Sequence, residues 1–170
     1  MEERMLIGGA VSGDKNAFAA LYMLYRDDLY RYAYFRLGND ADAEDAVSAC
    51  IVAAYENIHT LRAEKAFRTW IFRILYRCCC TLIAGQIEMS RREGEEALDR
   101  LPAAESGISS EVKEAFGVLS GEDREIVLLS VIAGYSSREI ASILSLKPST
   151  VRSRLSRGLS KMRKFLEDTE

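Results

Sequence analysis

Gly134–Lys164 reads GYSSREIASILSLKPSTVRSRLSRGLSKMRK, and this stretch decides the fold of the chain. Ser136 followed by Glu139 spells a capping box, in which a hydroxyl and a carboxylate each satisfy one orphan backbone amide. A short helix is therefore expected from Ser137, with Ile140, Ile143 and Leu144 on its buried side. Ser145 and Leu146 form a turn, and Pro148 suits a first helical position, where its missing N–H costs nothing. The helix that follows carries Val151, Leu155, Leu159, Met162 and Leu166 as one apolar stripe. Opposite lie Ser149, Ser153, Ser156, Arg157, Ser160 and Lys164, flanked by Arg152, Arg154, Lys161 and Arg163. Seven basic residues and no acidic one fall between Lys147 and Lys164, in a chain whose net charge is −3. A short helix, a tight turn and a longer basic helix with small polar outward positions read as a helix-turn-helix. Serine and threonine let such a helix approach base edges, while arginine and lysine reach guanines and phosphates. The residues expected to touch DNA are Lys147, Ser149, Thr150, Arg152, Ser153, Arg154, Ser156, Arg157, Lys161 and Lys164. A solvated basic helix in an unrelated bundle is the alternative.

Composition agrees with a globular, all-α chain: 48% hydrophobic, 29% charged, only two prolines and little strand-like alternation. Charge is segregated. Residues 61–83 hold five basic groups against one acidic, and residues 126–166 hold eight against one. The acidic remainder points to contact with a further partner or to a limit on non-specific DNA binding. The start, MEERMLIGGAV, does not look like a secretory signal, and the uninterrupted apolar runs, Ala49 to Tyr55 among them, fall far short of the roughly 20 residues that span a bilayer. A cytoplasmic protein without membrane insertion is expected. Cys50 and the run Cys78–Cys79–Cys80 suit neither a disulfide framework nor a zinc site, and read as small core residues, with redox sensing the alternative. His59, the only histidine, sits near a helix end.

Upstream, Asp14 caps a helix with Ala17, Phe18, Leu21, Leu24 and Tyr25 on one face. Leu29, Tyr30, Ala33, Tyr34 and Leu37 continue it to Gly38. Its tyrosines read as core and core-edge residues. Asp40 or Asp42 opens the next helix, with acidic residues crowding the end that the helix dipole favours. Val47, Cys50, Ile51, Ala54 and Ile58 form its buried stripe, and Ala49, Val52 and Ala53 lie opposite. A small apolar patch there, beside Asp45 and Glu56, reads either as a protein-docking surface or as a second buried side. Residues 65–83 form an amphipathic helix with Phe67, Trp70, Ile71, Ile74, Leu75, Cys78 and Leu82 inward. Thr69, Phe72, Arg73 and Tyr76 are expected outward, with Arg68 and Arg77 beside them. Rings interleaved with guanidinium groups suit unstacked bases.

Periodicity fades between Gly85 and Ser109, a stretch with six acidic residues and three arginines, expected to be a flexible acidic linker with a short helical piece near Arg91–Leu101. The expected layout is a helical domain over 1–84, the linker over 85–109, and a four-helix domain over 110–170. In the second domain Ser110 caps a helix to Leu119, and Ser120 caps another over Glu122–Ala133.

DAEDAV at Asp42–Val47 and FRTWIFRI at Phe67–Ile74, followed by DREIVLL at Asp123–Leu129, YSSREIA and STVRSRLSRG, together resemble bacterial RNA polymerase sigma factors of the extracytoplasmic-function type. The resemblance implies a first domain that binds the polymerase and melts the promoter −10 element, through Arg68, Thr69, Phe72, Arg73, Tyr76 and Arg77. It implies a second domain that reads the −35 element, and a linker that threads the polymerase. Asp42, Asp45, Ala49, Val52 and Glu56 become the polymerase-docking candidates. The implied partners are core RNA polymerase, promoter DNA and an anti-sigma factor. Departures stand at Ser48–Ala49–Cys50–Ile51, where the family has a Gln–Glu–x–Phe-like run. Others are Arg77, Thr81 and Ala84–Gly85–Gln86, in place of an asparagine, an aspartate and basic residues. Ser145 replaces a common turn glycine, and Ser120 a common proline. No nucleophile–base pair, metal-ligand spacing or phosphate-cradling loop occurs, so no enzymatic chemistry and no cofactor are expected. The rivals are an ordinary helix-turn-helix regulator and a degenerate sigma-like interaction protein.

Overall fold

Local signals account for most helix ends. Asp14 accepts from the amides of Asn16 and Ala17, and Gly38 closes the same helix with a left-handed φ of 93°. Asn39, rather than Asp40 or Asp42, caps the next helix by accepting from the Asp42 amide. Ser109, one residue earlier than expected, and Ser120 cap two helices of the second domain through the amides of Val112 and Asp123. The computed structural model describes residues 2–93 and 109–169. Among these, every regular element is helical: α1 (Glu2–Val11), α2 (Lys15–Leu37), α3 (Asp40–Asn57), α4 (Phe67–Glu93), α5 (Ser110–Gly117), α6 (Gly121–Val131), α7 (Ser137–Leu144) and α8 (Pro148–Thr169), with two single 3-10 turns between α3 and α4. The chain separates into two compact units, Met1–Arg100 and Leu101–Glu170.

In the first unit α2, α3 and α4 pack on one another, and α1 lies on α2. Rings supply the volume: Tyr25, Tyr32 and Tyr34 of α2 and Phe67 and Phe72 of α4 are buried. Tyr32 meets Phe72 edge-on at 5.8 Å, and Tyr25 meets Phe67 at 5.2 Å, arrangements that the ring quadrupoles favour. α3 contributes small buried side chains, Ala43, Ala46, Cys50 and Ala54, which leave room for those rings. Neither α1 nor the length of α4 is apparent from periodicity. α1 contains Gly8 and Gly9, and its position rests on tertiary contacts. The Tyr25 hydroxyl donates to Glu3, Arg4 pairs with Glu64, and Ile7 and Ala10 are buried. α4 continues through Gly85 to Glu93, into the segment expected to be linker. Gln86 Nε2 donates to Asp42 Oδ2 at 2.6 Å, and Arg92 pairs with Glu88 one turn away. The rest of that linker, including most of the helical piece expected near Arg91–Leu101, lies outside the described residues. Of the described helices, α4 is the one long and apolar enough to cross a bilayer. Its buried face belongs to the helical core, and Arg73 and Arg77 stud the exposed remainder.

In the second unit α8 packs against α5, α6 and α7. The expected stripe on α8 needs correction. Leu159 is 40% exposed, and Gly158 is buried in its place. A Cβ on Gly158 would come within 3.1 Å of Val127 Cγ2 and 3.8 Å of Leu119 Cδ2. The close helix crossing that a glycine allows has rotated the contact face away from Leu159.

The α7–α8 turn holds Ser145 at φ 56°, the one non-glycine residue with positive φ among the described residues. The Ser145 and Leu146 amides both return to Ala141 O, a glycine-type helix stop made without glycine. Side chains in that region cost about 1–2 kcal/mol, of which a glycine forfeits roughly half through unfolded-state entropy. Ser145→Gly should thus stabilise the second unit by about 0.5–1 kcal/mol. Calorimetry of the full chain should show its transition a few degrees higher, and a fall would mean that the serine hydroxyl makes a compensating bond.

Candidate nucleic-acid and polymerase interfaces

The helix-turn-helix forms as its residues dictate. Ser136 N donates to Glu139 Oε2 at 2.8 Å and Glu139 N donates to Ser136 Oγ at 3.3 Å, which completes the capping box. Ile140 and Ala141 of α7 and Val151 of α8 are buried between the two helices and α6. On the outer side of α8, Ser149, Arg152, Ser153, Ser156, Arg157, Ser160, Lys161 and Lys164 are all exposed, as is Lys147 just before the helix. The Arg157 guanidinium leans back along the helix, its Nε donating to Ser153 O at 3.4 Å. Thr150 is half-buried. Arg154 is also half-buried, paired through Nη1 with Glu122 and lying 3.8 Å from Asp123 Oδ1.

The face of α4 differs from the expected one. Phe72 is fully buried, edge-on against Tyr32, where an outward stacking ring was expected. Its neighbour Ile71 is buried too, so the inward side comprises Phe67, Ile71, Phe72, Leu75 and Cys79. Trp70 and Ile74, expected inward, are half-exposed. The physical reason is that this helix is apolar on more than half its circumference, and the rings of α2 select which part is covered. Arg68 is turned inward as well. It pairs with Asp28 at 3.3 Å, and its guanidinium lies over the rings of Phe72 (5.2 Å) and Tyr25 (6.0 Å). Thr69 and Tyr76 remain half-exposed, and Arg73 and Arg77 exposed. Arg62 and Lys65, exposed on the segment that leads into α4, extend this polar strip. Sequence reasoning passed over both, although the basic excess of residues 61–83 contains them.

On α3, Asp45, Ala49, Val52 and Glu56 form one exposed line, with Val52 59% exposed. Tyr55 beside them is 44% exposed, its ring edge-on to Phe18. Asp42 is different: it is half-buried and accepts from both Asn39 Nδ2 and Gln86 Nε2 at 2.6 Å. Burial pushes the Cys50 thiol up, and that thiol lies 3.7 Å from Ile71 O as a weak donor in the core. A protonated thiol packed in this way fits the structural reading of the cysteine. Burial, reinforced by Glu3, likewise pushes up the Tyr25 hydroxyl, so the bond from α2 to α1 keeps its proton.

Comparison with known proteins finds relatives of both units. The Sigma-70 region 2 model matches residues 21–86, and the Sigma-70, region 4 model matches residues 109–162. The ECF RNA polymerase sigma factor SigW of Bacillus subtilis is 28% identical, over 92% of both chains. The RNA polymerase sigma factor CnrH of Cupriavidus metallidurans is also 28% identical, over 97% of this chain and 94% of its own. A solved structure of CnrH in complex with the cytosolic domain of CnrY superposes with a TM-score of 0.68 at 25% identity, covering 100% of both chains. Two matched regions in this order define a bacterial promoter-specificity subunit of the sigma-70 class. Within that class the chain belongs to the extracytoplasmic-function sigma factors.

Because Phe72 serves the core, its loss is expected to register as instability. Phe72→Ala should cost about 3–5 kcal/mol, as large-to-small substitutions of buried rings do, whereas Arg73→Ala on the exposed strip should leave thermal unfolding unchanged. Near-wild-type unfolding of the Phe72 variant would contradict this placement of the ring.

Proposed function

We propose that the chain assembles with core RNA polymerase in the cytoplasm, opens the −10 element with the outer strip of α4 and reads the −35 element with α8. The observation that carries this reading is the second unit: a capped helix-turn-helix whose longer helix turns an exposed row of serines outward, flanked by exposed cations. Arg152, Ser153 and Arg157, all exposed, are proposed to read base edges. Lys147, Ser149, Ser156, Lys161 and Lys164 are placed for the sugar-phosphate flanks, with Thr150 at the helix start. On α4, Thr69, Arg73, Tyr76 and Arg77 are the residues proposed to meet the melted strand, with Arg68 and Phe72 supporting them from behind. The Asp45–Ala49–Val52–Glu56 line of α3 is proposed to dock on the polymerase. Asp42 contributes by holding α4 at Gln86. An anti-sigma factor is a further proposed partner, supported by the solved complex of CnrH with the cytosolic domain of CnrY.

Run-off transcription with core polymerase on candidate promoters tests the whole reading. Promoter-dependent transcripts are expected, and their absence with a chain that binds core would leave only an interaction protein. Within it, a bidentate arginine–guanine pair is worth about 1–3 kcal/mol, so Arg152→Ala or Arg157→Ala should weaken promoter binding by about 5- to 150-fold, and unchanged −35 footprints in both would remove them from base reading. Val52→Arg introduces a charge at a solvent-facing position, and should abolish co-purification with core enzyme while circular dichroism stays the same. Normal core binding by that variant would move the docking surface elsewhere.

A further inference from the structure

Seven cations lie between Lys147 and Lys164, and six of them are exposed. Arg154 is the exception, with a side chain 29% exposed and both acidic residues of the first turn of α6 around its guanidinium. Asp123 is the more enclosed of the two, at 17%. Its amide is held by the cap residue Ser120 at 3.3 Å, so this end of α6 is itself fixed. One turn further along α8, a Cβ on Gly158 would come within 3.1 Å of Val127 Cγ2 and 3.8 Å of Leu119 Cδ2. The crossing of α8 over α6 thus has two different constraints. The glycine sets how closely the helices approach, but a residue without a side chain does little to resist rotation of α8 about its own axis. The Arg154 pair resists it.

We propose that Arg154 is a positioning residue that fixes the rotation of α8 and thereby the aim of Arg152, Ser153 and Arg157 at the −35 element, and that it is not itself a DNA contact. This rests on the proposed reading of −35 DNA by α8. A rotation of about 30° sweeps side-chain ends at about 5–6 Å radius through roughly 3 Å, enough to break a bidentate base contact. The same guanidinium offsets part of the negative charge of Glu122 and Asp123, carboxylates that would otherwise repel phosphate more strongly near the recognition surface. Arg152 and Arg157, two and three positions away, have no such acidic partners among the described residues.

The test uses holoenzyme assembled from the full chain and a promoter fragment with its −35 element intact or scrambled, over a series of salt concentrations. Arg154→Ala should lower affinity for the intact fragment by about five- to tenfold, the size of one misplaced base contact. The intact-to-scrambled ratio should fall by the same factor, and the slope of log K against log salt should stay the same. Arg154→Lys, which keeps a cation for the carboxylates, should restore part of the ratio. Glu122→Gln with Asp123→Asn should reproduce the lowered ratio while Arg154 is intact, and combining them with Arg154→Ala should add little. That carboxamide variant also decides the matter if Arg154→Ala does not fold. A shallower salt slope, by about 0.9, with an unchanged ratio would make Arg154 a phosphate contact and overturn the proposal. An unchanged ratio in both sets of variants would overturn it too. If wild-type holoenzyme does not distinguish intact from scrambled −35 DNA, the reading of α8 has failed, which is a different result.

Discussion

Burial of one side of α4 is the constraint on which the first unit depends. This helix offers apolar side chains around most of its circumference, and only part of them can be covered by α2 and α3. The rings of Tyr25 and Tyr32 settle the choice by taking Phe67 and Phe72 edge-on, and the small residues of α3 leave space for the result. Everything outward follows from that. Once Phe72 is spent on the core, the strip proposed to meet nucleic acid consists of Thr69, Arg73, Tyr76 and Arg77, with the half-exposed Trp70 at its edge. The Tyr76 ring, with Trp70 at the edge, and two arginines suit a melted strand, in which stacking and phosphate contact act together. Arg68 gains rigidity where it loses reach. Held between Asp28 and two ring faces, it fastens α4 to α2 immediately beside that strip.

Charge is partitioned by the same logic in both units. Arginines that must hold a helix in place have carboxylates near them: Asp28 for Arg68, Glu122 and Asp123 for Arg154. Cations proposed to meet DNA are left facing water, where their desolvation is postponed until phosphate replaces the solvent. Exposed ion pairs contribute little to stability by themselves, because solvent screens them and long side chains lose freedom on pairing. Their value here lies in orientation, which a binding helix needs more than it needs a few tenths of a kcal/mol.

Much of this was legible in the sequence wherever the cause is local. Asp14, Ser120 and the Ser136–Glu139 box cap the expected helices because side chain and amide lie within three residues of each other. Gly38 ends α2, and Pro148 starts α8, for equally local reasons. The two-domain, all-α architecture and the basic face of α8 followed from those signals and from charge segregation. What periodicity missed is tertiary. The inward turn of Phe72 depends on Tyr32, which is forty residues away in the chain. The exposure of Leu159 depends on how closely Gly158 lets α6 approach, and hydrophobicity assigns no weight to a glycine as a contact residue. The continuation of α4 past Gly85 depends on Gln86 meeting Asp42 of α3. α1, with two central glycines, is a helix because Glu3 and Arg4 find partners on other elements.

The Gln86–Asp42 bond also gives meaning to one departure from the family pattern. Where the family resemblance leads one to expect a basic run, this chain has Ala84–Gly85–Gln86, and the glutamine is used inside the unit. Asp42 accepts from Asn39 and Gln86 together, so the residue that shapes the start of α3 also anchors the distal part of α4. The two helices that carry the proposed polymerase-docking line and the proposed single-strand strip are thereby joined at a point away from both. Losing a basic run removes phosphate contacts, which attract any strand regardless of sequence. Holding α4 at Gln86 instead leaves the proposed recognition to fewer side chains. Their geometry then rests on the α3–α4 packing that holds them.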